Sequence, residues 1–101
     1  MATGTPGAGS SAQTLGALLK SARVASKRSQ AEVANLLSTS QGNLSRWERD
    51  LTYPQDADTL MKIEQFVGVD RSVFIGAVVA SVTKNTRRRL RELYEEHGEH
   101  P

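Results

Sequence analysis

Apolar side chains recur along much of the chain at the three- and four-residue spacing that places them on one face of a helix. The first run follows Thr14, a residue suited to capping a helix N-terminus. A second run follows Ser29, where Glu32 three residues later completes a capping box. The inward positions of the two runs are Leu15, Leu18, Leu19, Ala22 and Ala25, then Val33, Ala34, Leu36 and Leu37. No segment has the pattern of a strand, so the sequence predicts an all-α fold.

The third predicted helix, residues 41–49, is poor in apolar residues. Ser40 can cap it, and only Leu44 and Trp47 are suited to burial. A short helix of this composition is stabilised by its neighbours rather than by its own packing. Its polar side is therefore available for binding.

A fourth helix is predicted to start at Asp56 or Asp58 and to end at Gly68, and Asp70 then caps a fifth. The fifth helix carries more branched apolar residues than one small domain can readily cover. These residues either close the core of a single chain or form a two-fold contact between two chains. We favour a homodimer, with an interface formed by Phe74, Ile75, Val78, Val79 and Val82.

The two ends of the chain differ in composition from its middle. Residues 1–13 contain no charged, aromatic or branched aliphatic side chain, which predicts a flexible arm. Residues 14–82 would form one domain, and residues 83–101 a C-terminal helical extension and tail. The polar residues 83–86 either break the fifth helix or lie within one helix that runs from 70 to about 96.

Several classes of function are excluded. The chain has no cysteine, hence no disulfide and no thiolate metal site. His97 and His100 lie in the tail among glutamates, where we expect no metal site. We find no catalytic carboxylate pair, nucleophile–base pair or phosphate-binding glycine loop, so we expect neither enzyme activity nor a cofactor. A secretory signal and a membrane-spanning run are also missing, which predicts a soluble, cytoplasmic protein.

Residues 30–49 form a short helix, a three-residue turn and a second short helix, the pattern of a DNA-binding helix-turn-helix. The stretch SQAEVANLLSTSQGNLSRWERDLTYP resembles the lambda-repressor-like (Cro/cI or XRE) helix-turn-helix family. Further on, TLMKIEQFVGVDRSVF is similar to the fourth and fifth helices of that family. The resemblance covers about residues 14–80. Its matching features are Ser29-Gln30, Ala34, Leu44, the SRWER run and Pro54.

The resemblance implies a lambda-repressor-like five-helix domain that binds double-stranded DNA through the helix at 41–49. Ser38 stands where the family usually has glycine, at a turn position that favours positive φ, at a cost of about 1 kcal/mol. Asp50 replaces the usual glycine after the recognition helix, and aspartate tolerates that conformation better than most residues. The spacer at 55–58 is one residue longer than usual. The resemblance also implies that Glu48 pairs with a basic residue of the first motif helix.

Two residues of the recognition helix are predicted to read bases. Gln41 has an amide that can pair with adenine, and Arg46 can pair with guanine. Arg46 could instead bind a phosphate or pair with Asp50. The resemblance implies that Gln30 binds a phosphate and braces the recognition helix, whereas Trp47 is expected in the core. The other predicted DNA contacts are Ser40, Gly42, Asn43, Ser45, Arg49, Thr52 and Tyr53.

The net charge of +2 conceals a segregated pattern. Residues 20–49 carry six basic and two acidic side chains, whereas residues 50–70 carry one and five. The first basic block coincides with the helix-turn-helix, as a DNA-binding surface requires. Residues 71–91 carry six basic side chains and no acidic one. Four arginines there could bind flanking phosphates, a partner's acidic surface or glutamates one turn on: Arg87, Arg88, Arg89 and Arg91.

The leading hypothesis is a sequence-specific DNA-binding transcriptional regulator, most simply a phage-type or small bacterial repressor. It would bind an inverted-repeat operator as a dimer. The alternative is a protein-interaction module or antitoxin whose C-terminal segment, 83–101, binds a partner protein.

Overall fold

A computed structural model describes residues 13–97 of the chain. These residues form five helices and no strand, which confirms the all-α prediction. The helices are α1 (Leu15–Ala25), α2 (Gln30–Leu36), α3 (Gln41–Glu48), α4 (Ala57–Val67) and α5 (Arg71–His97). The predicted arm lies outside the described residues except for Gln13, and so do the side chains of His97 and His100.

Capping side chains set the starts of the first four helices. Each capping side chain accepts a hydrogen bond from a backbone N–H in the first turn of its helix, as predicted from residue type. These residues are Thr14, Ser29, Ser40 and Asp56. Glu32 completes the capping box at the start of α2 by accepting from the Ser29 N–H at 2.8 Å. Gly68 ends α4 in the left-handed conformation, with φ of 67°.

One hydrophobic core lies between the helices, and all five contribute to it. Its buried members are Leu15, Leu19, Val33, Ala34, Leu37, Leu44, Trp47, Ile63 and Phe74. Leu36 and Ala25 were also expected to face inward, but Leu36 is half exposed and Ala25 is exposed at the end of α1. The inward arc of α2 is centred on Val33, Ala34 and Leu37, and Leu36 lies beyond the edge of that arc. The placement of Trp47 in the core is confirmed.

The fifth helix is continuous from Arg71 to His97, so the polar residues 83–86 do not break it. Within this stretch, the Asn85 side-chain amide donates to the Ser81 carbonyl at 2.8 Å. The Ser81 hydroxyl in turn accepts from the Leu15 N–H at 2.8 Å, in a buried contact. Asn85 thus forms a hydrogen bond within α5, Ser81 forms one to α1, and neither residue ends the helix.

The five residues of the predicted dimer interface do not lie on one side of α5. Phe74 is buried in the core of its own chain, and Val78 packs against that core, so both point inward rather than outward. Ile75 and Val79 lie on the opposite side and are 54% and 57% exposed. Val82 is half-buried between the two sides. The outward apolar face is therefore narrower than the predicted interface.

Candidate nucleic-acid interface

The third helix presents its polar side to solvent because its two apolar residues are used for packing. Leu44 is fully buried and Trp47 is 7% exposed, which fixes the orientation of α3 in the domain. None of the ten predicted DNA-binding residues is buried. Nine of them lie on α3, at its cap or in the residues that follow it: Ser40, Gln41, Gly42, Asn43, Ser45, Arg46, Arg49, Thr52 and Tyr53.

Arg46 is held along α3 by a hydrogen bond to Asn43. Its Nη2 donates to the Asn43 Oδ1 at 2.5 Å, whereas the ion pair of Asp50 is with Lys84 rather than Arg46. The spacing of three residues places both side chains on the same side of the helix. The Asn43 amide nitrogen donates to the Thr39 hydroxyl at 3.1 Å, which fixes the other end of the amide. The Arg46 guanidinium is therefore oriented by Asn43, and Asn43 is itself oriented by Thr39.

The N-terminal turn of α3 combines an exposed amide side chain with free space. The Gln41 side chain is exposed and forms no hydrogen bond with any of residues 13–97. Gly42 follows it, and a Cβ there would lie 3.6 Å from Arg46 Nη1, an ordinary contact. No contact with the described residues therefore requires glycine at this position. The Ser40 hydroxyl is occupied as the cap, accepting from the Asn43 N–H at 3.1 Å.

The last residue of α3, Glu48, joins this helix to two others. Its carboxylate accepts from Arg23 Nε at 2.7 Å and Nη2 at 3.1 Å, a bidentate pair. It also accepts from Gln30 Nε2 at 3.0 Å, which accounts for the predicted bracing role of Gln30. The Glu48 side chain is only 2% exposed, so all three bonds lie at or near the interior. The hydrogen bonds to Glu48 raise the pKa of the Arg23 guanidinium above its ordinary value.

The basic partner of Glu48 was expected on the first motif helix and lies on α1 instead. Arg23 and Glu48 are 25 residues apart, and no local pattern in the sequence connects them. Arg23 Nη1 also donates to the Arg28 carbonyl at 3.1 Å, so the same side chain fixes the entry to α2. Arg23 therefore positions the recognition helix, although the sequence around it gives no sign of this role.

Gly16 was also missed, although its signal was present in the sequence. It lies in an apolar helix between Leu15 and Ala17, where glycine is unfavourable unless another element comes close. The end of α3 does come close. A Cβ on Gly16 would lie 2.0 Å from the Trp47 carbonyl oxygen and 2.6 Å from Asp50 Oδ1.

The backbone after α3 turns at Asp50, which has a positive φ of 61°. Ser38, in the turn before α3, likewise has φ of 58°. Both positions are those at which the resemblance placed glycine, and both have the backbone conformation that favours it. Asp50 Oδ2 pairs with Lys84 at 2.9 Å, while Asp50 Oδ1 is buried without a hydrogen-bond partner.

The five-helix fold and the exposed polar face of α3 define a DNA-binding helix-turn-helix domain of the lambda-repressor-like class. The family model described as "Helix-turn-helix" matches residues 19–74, more than half of the chain. The chain belongs to this helix-turn-helix family, of the XRE or lambda-repressor-like type, and is a DNA-binding transcriptional regulator of that type. Neither the curated proteins nor the solved structures include a significant match.

Two further structural findings concern the described part of the chain. Within residues 13–97, no helix combines the length and apolar character needed to cross a bilayer. The same residues contain no group of three or more side chains that could hold a metal ion.

Proposed function

We propose that the protein is a sequence-specific repressor, of a phage type or a small bacterial type, that binds an inverted-repeat operator as a homodimer. The observation that carries the proposal is the polar face of α3, where Gln41 is exposed and Arg46 is held by Asn43. In this proposal Gln41 reads adenine and Arg46 reads guanine in the major groove. The protein acts in the cytoplasm, where bacterial DNA is found.

The other polar residues near Gln41 and Arg46 support the proposal because they are accessible for contacts with the DNA backbone. Arg49 is exposed just beyond α3, and its Nε donates to the Ser45 carbonyl at 3.3 Å. Thr52 and Tyr53 follow in the loop, each partly accessible. We assign phosphate contacts to these three residues, because phosphate contacts fix the register of a recognition helix without reading sequence. Gln30, bound to Glu48, would contact a phosphate from the start of α2.

The proposed dimer uses the outer side of α5. Four exposed apolar residues of α5 lie on the side of the helix opposite Phe74, Ala77 and Ser81, which face the core. They are Ile75, Val79, Leu90 and Tyr94, with exposures of 48% to 68%. Binding to an inverted repeat requires two copies of α3 related by a two-fold axis, and pairing through this side would supply such an axis.

Selection of bound sequences from a random DNA pool tests the operator proposal. Gln41→Ala and Arg46→Ala should each relax the preference at one base pair, at a cost of about 1–3 kcal/mol. Arg49→Ala is the matched control, because loss of a phosphate contact should weaken binding to all sequences and reduce the salt dependence by about one ion. Unchanged preference in both reading variants would show that other residues read the operator.

The dimer is tested separately by sedimentation of the full chain. Val79→Lys should shift the protein towards the monomer and weaken operator binding, because a charge would enter an apolar contact. Met61, on α4, is an apolar residue as exposed as Val79, and Met61→Lys serves as the control that adds the same charge elsewhere. A chain that sediments as a monomer at all concentrations, with or without DNA, would contradict the dimer.

A second candidate function is a protein-interaction module or antitoxin, and the C-terminal half of α5 supports it. Among residues 13–97 the ion pairs are Arg23–Glu48, Arg71–Glu64 and Lys84–Asp50. The exposed arginines 87, 89 and 91 thus have no ion pair with the glutamates one turn on, and Leu90 and Tyr94 lie exposed beside them. Capture of a defined partner by Leu90 and Tyr94, with no DNA binding by the unmodified chain, would favour this function. An antitoxin would show both activities.

A further inference from the structure

The turn that follows the recognition helix is held by the C-terminal half of α5. Arg88 Nη1 donates to the Asp50 carbonyl at 2.9 Å, and Nη2 donates to the Leu51 carbonyl at 2.8 Å. Lys84, one helical turn earlier, pairs with the Asp50 carboxylate at 2.9 Å. Two cations of α5 thus contact both the backbone and the side chain of this turn.

These contacts satisfy two carbonyl groups that lie just beyond the end of α3. The last carbonyls of α3 already accept from the N–H groups of residues 49–51, and the partial negative charge at a helix C-terminus favours nearby cations. At this end the chain also adopts the left-handed conformation at Asp50, which is unfavourable for a residue with a side chain. Arg88 and Lys84 stabilise the turn at the point where its backbone is least stable by itself.

Arg88 is itself oriented by the neighbouring turn of α5. Asn85 Oδ1 accepts from Arg88 Nη2, and the Asn85 amide nitrogen donates to the Ser81 carbonyl. Ser81 is 2% exposed and binds the first N–H of α1. The guanidinium is therefore connected, bond by bond, to the packed interior of the domain.

We propose that Lys84 and Arg88 are positioning residues for DNA binding, which hold the turn at 50–51 and thereby fix the C-terminal end of α3 and the loop behind it. Both residues lie beyond the stretch 19–74 that the helix-turn-helix family model matches. The C-terminal extension thus completes the DNA-binding surface of its own chain. The inference rests on the proposed function, in that Arg49, Thr52 and Tyr53 meet the DNA backbone.

The test compares Arg88→Gln with Arg89→Gln in the full chain. Both variants remove one positive charge, but the Arg89 side chain is exposed and forms no hydrogen bond with any of residues 13–97. The first measurement is amide hydrogen exchange without DNA, at the N–H groups of residues 49–51. These groups donate to the carbonyls of Ser45, Trp47 and Arg46 at 2.9–3.1 Å.

In Arg88→Gln, amide exchange at 49–51 should be about 10-fold faster or more, because the variant loses the hydrogen bonds that the charged guanidinium donates to this turn. Exchange in α4 should accelerate less than exchange at 49–51, relative to Arg89→Gln, a difference that a general loss of stability would not produce. Arg88→Lys should restore part of the protection, because an ammonium can reach one of the two carbonyls. Lys84→Gln should produce a smaller acceleration at the same amides.

The second measurement is affinity for a DNA sequence selected by the unmodified chain. Arg88→Gln should bind it about 10-fold more weakly than Arg89→Gln does. Equal affinities, or equal exchange at 49–51, would overturn the positioning role. If the unmodified chain selected no sequence, the proposed function would fail, and the exchange comparison alone would decide whether Arg88 holds the turn.

Discussion

Replacing Gly16 by alanine should destabilise the protein, although alanine is the better helix former. In an open helical position, alanine gains about 1 kcal/mol over glycine. At Gly16 the new Cβ would lie 2.0 Å from the Trp47 carbonyl oxygen, and the second obstacle, Asp50 Oδ1, would be 2.6 Å away. The first of these is a backbone atom at the end of α3, so no side-chain rotation can relieve the contact.

The size of the effect follows from the distances. An ordinary contact needs at least 3.4 Å, so α1 and the end of α3 must separate by about 1.4 Å at this point. Overpacking of this kind costs about 1–3 kcal/mol, and here it acts on two packed backbones. Gly76 in α5 is the matched control, because a Cβ there has no atom within 4 Å. We expect Gly76→Ala to stabilise by about 0.5–1 kcal/mol, so the two variants should differ by about 1.5–4 kcal/mol.

Equilibrium unfolding in urea, followed by the fluorescence of the single Trp47, measures both variants. The measurements should be repeated over a wide range of protein concentrations, because Gly76 lies beside the proposed dimer face. Operator affinity should also fall in Gly16→Ala, since the end of α3 moves. A Gly16→Ala variant as stable as the unmodified chain would show that α1 and α3 are not packed as closely as described.

Three further predictions concern single side chains. Glu48→Gln should lower the free energy of unfolding, measured by urea titration, by about 2–3 kcal/mol, because the neutral amide leaves the Arg23 guanidinium without its anion. A double-mutant cycle with Arg23→Gln should show a coupling energy above about 0.5 kcal/mol. Hydrogen bonds from the Thr59 N–H and hydroxyl lower the pKa of Asp56 below its ordinary 3.8. The ionised cap therefore stabilises the fold above that value, and its contribution is lost as the pH falls through the lowered pKa. Asp56→Asn keeps a capping oxygen and should show a smaller fall in melting temperature between neutral and strongly acidic solution, whereas an equal fall would contradict the role of the ionised cap. Ser38→Gly should raise the free energy of unfolding by about 0.5–1 kcal/mol, because glycine relieves the positive φ; a loss of stability would indicate that the hydrogen bond from Lys62 to the Ser38 hydroxyl outweighs the strain.

Features that depend on neighbours in sequence were predicted well. The caps at Thr14, Ser29 and Ser40 and the burial of Leu44 and Trp47 follow from local spacing, and all are confirmed. The outward position of the α3 polar residues follows from the same periodicity. The chemical roles of those residues on DNA stay predictions.

Features that depend on distant contacts could not be predicted in the same way. The partner of Glu48 lies 25 residues away on α1, and the cations that hold Asp50 lie 34 and 38 residues away on α5. The polar composition of 83–86 suits both a helix break and a helix that binds a loop, so sequence alone left the length of α5 open. Only the packed fold shows which carbonyls and carboxylates those polar side chains reach.

The separation of buried anchoring residues from exposed residues on α3 determines how the DNA target of this protein could change. Leu44, Trp47 and Glu48 anchor the helix, whereas Gln41, Gly42 and Ser45 make no side-chain contact that the fold depends on. Substitutions at these outer positions can therefore accumulate at little cost in stability. Asn43 and Arg46 are joined by a hydrogen bond and should change together. A redesign of specificity can thus treat α3 as a replaceable surface with one linked pair, while the interior remains unaltered.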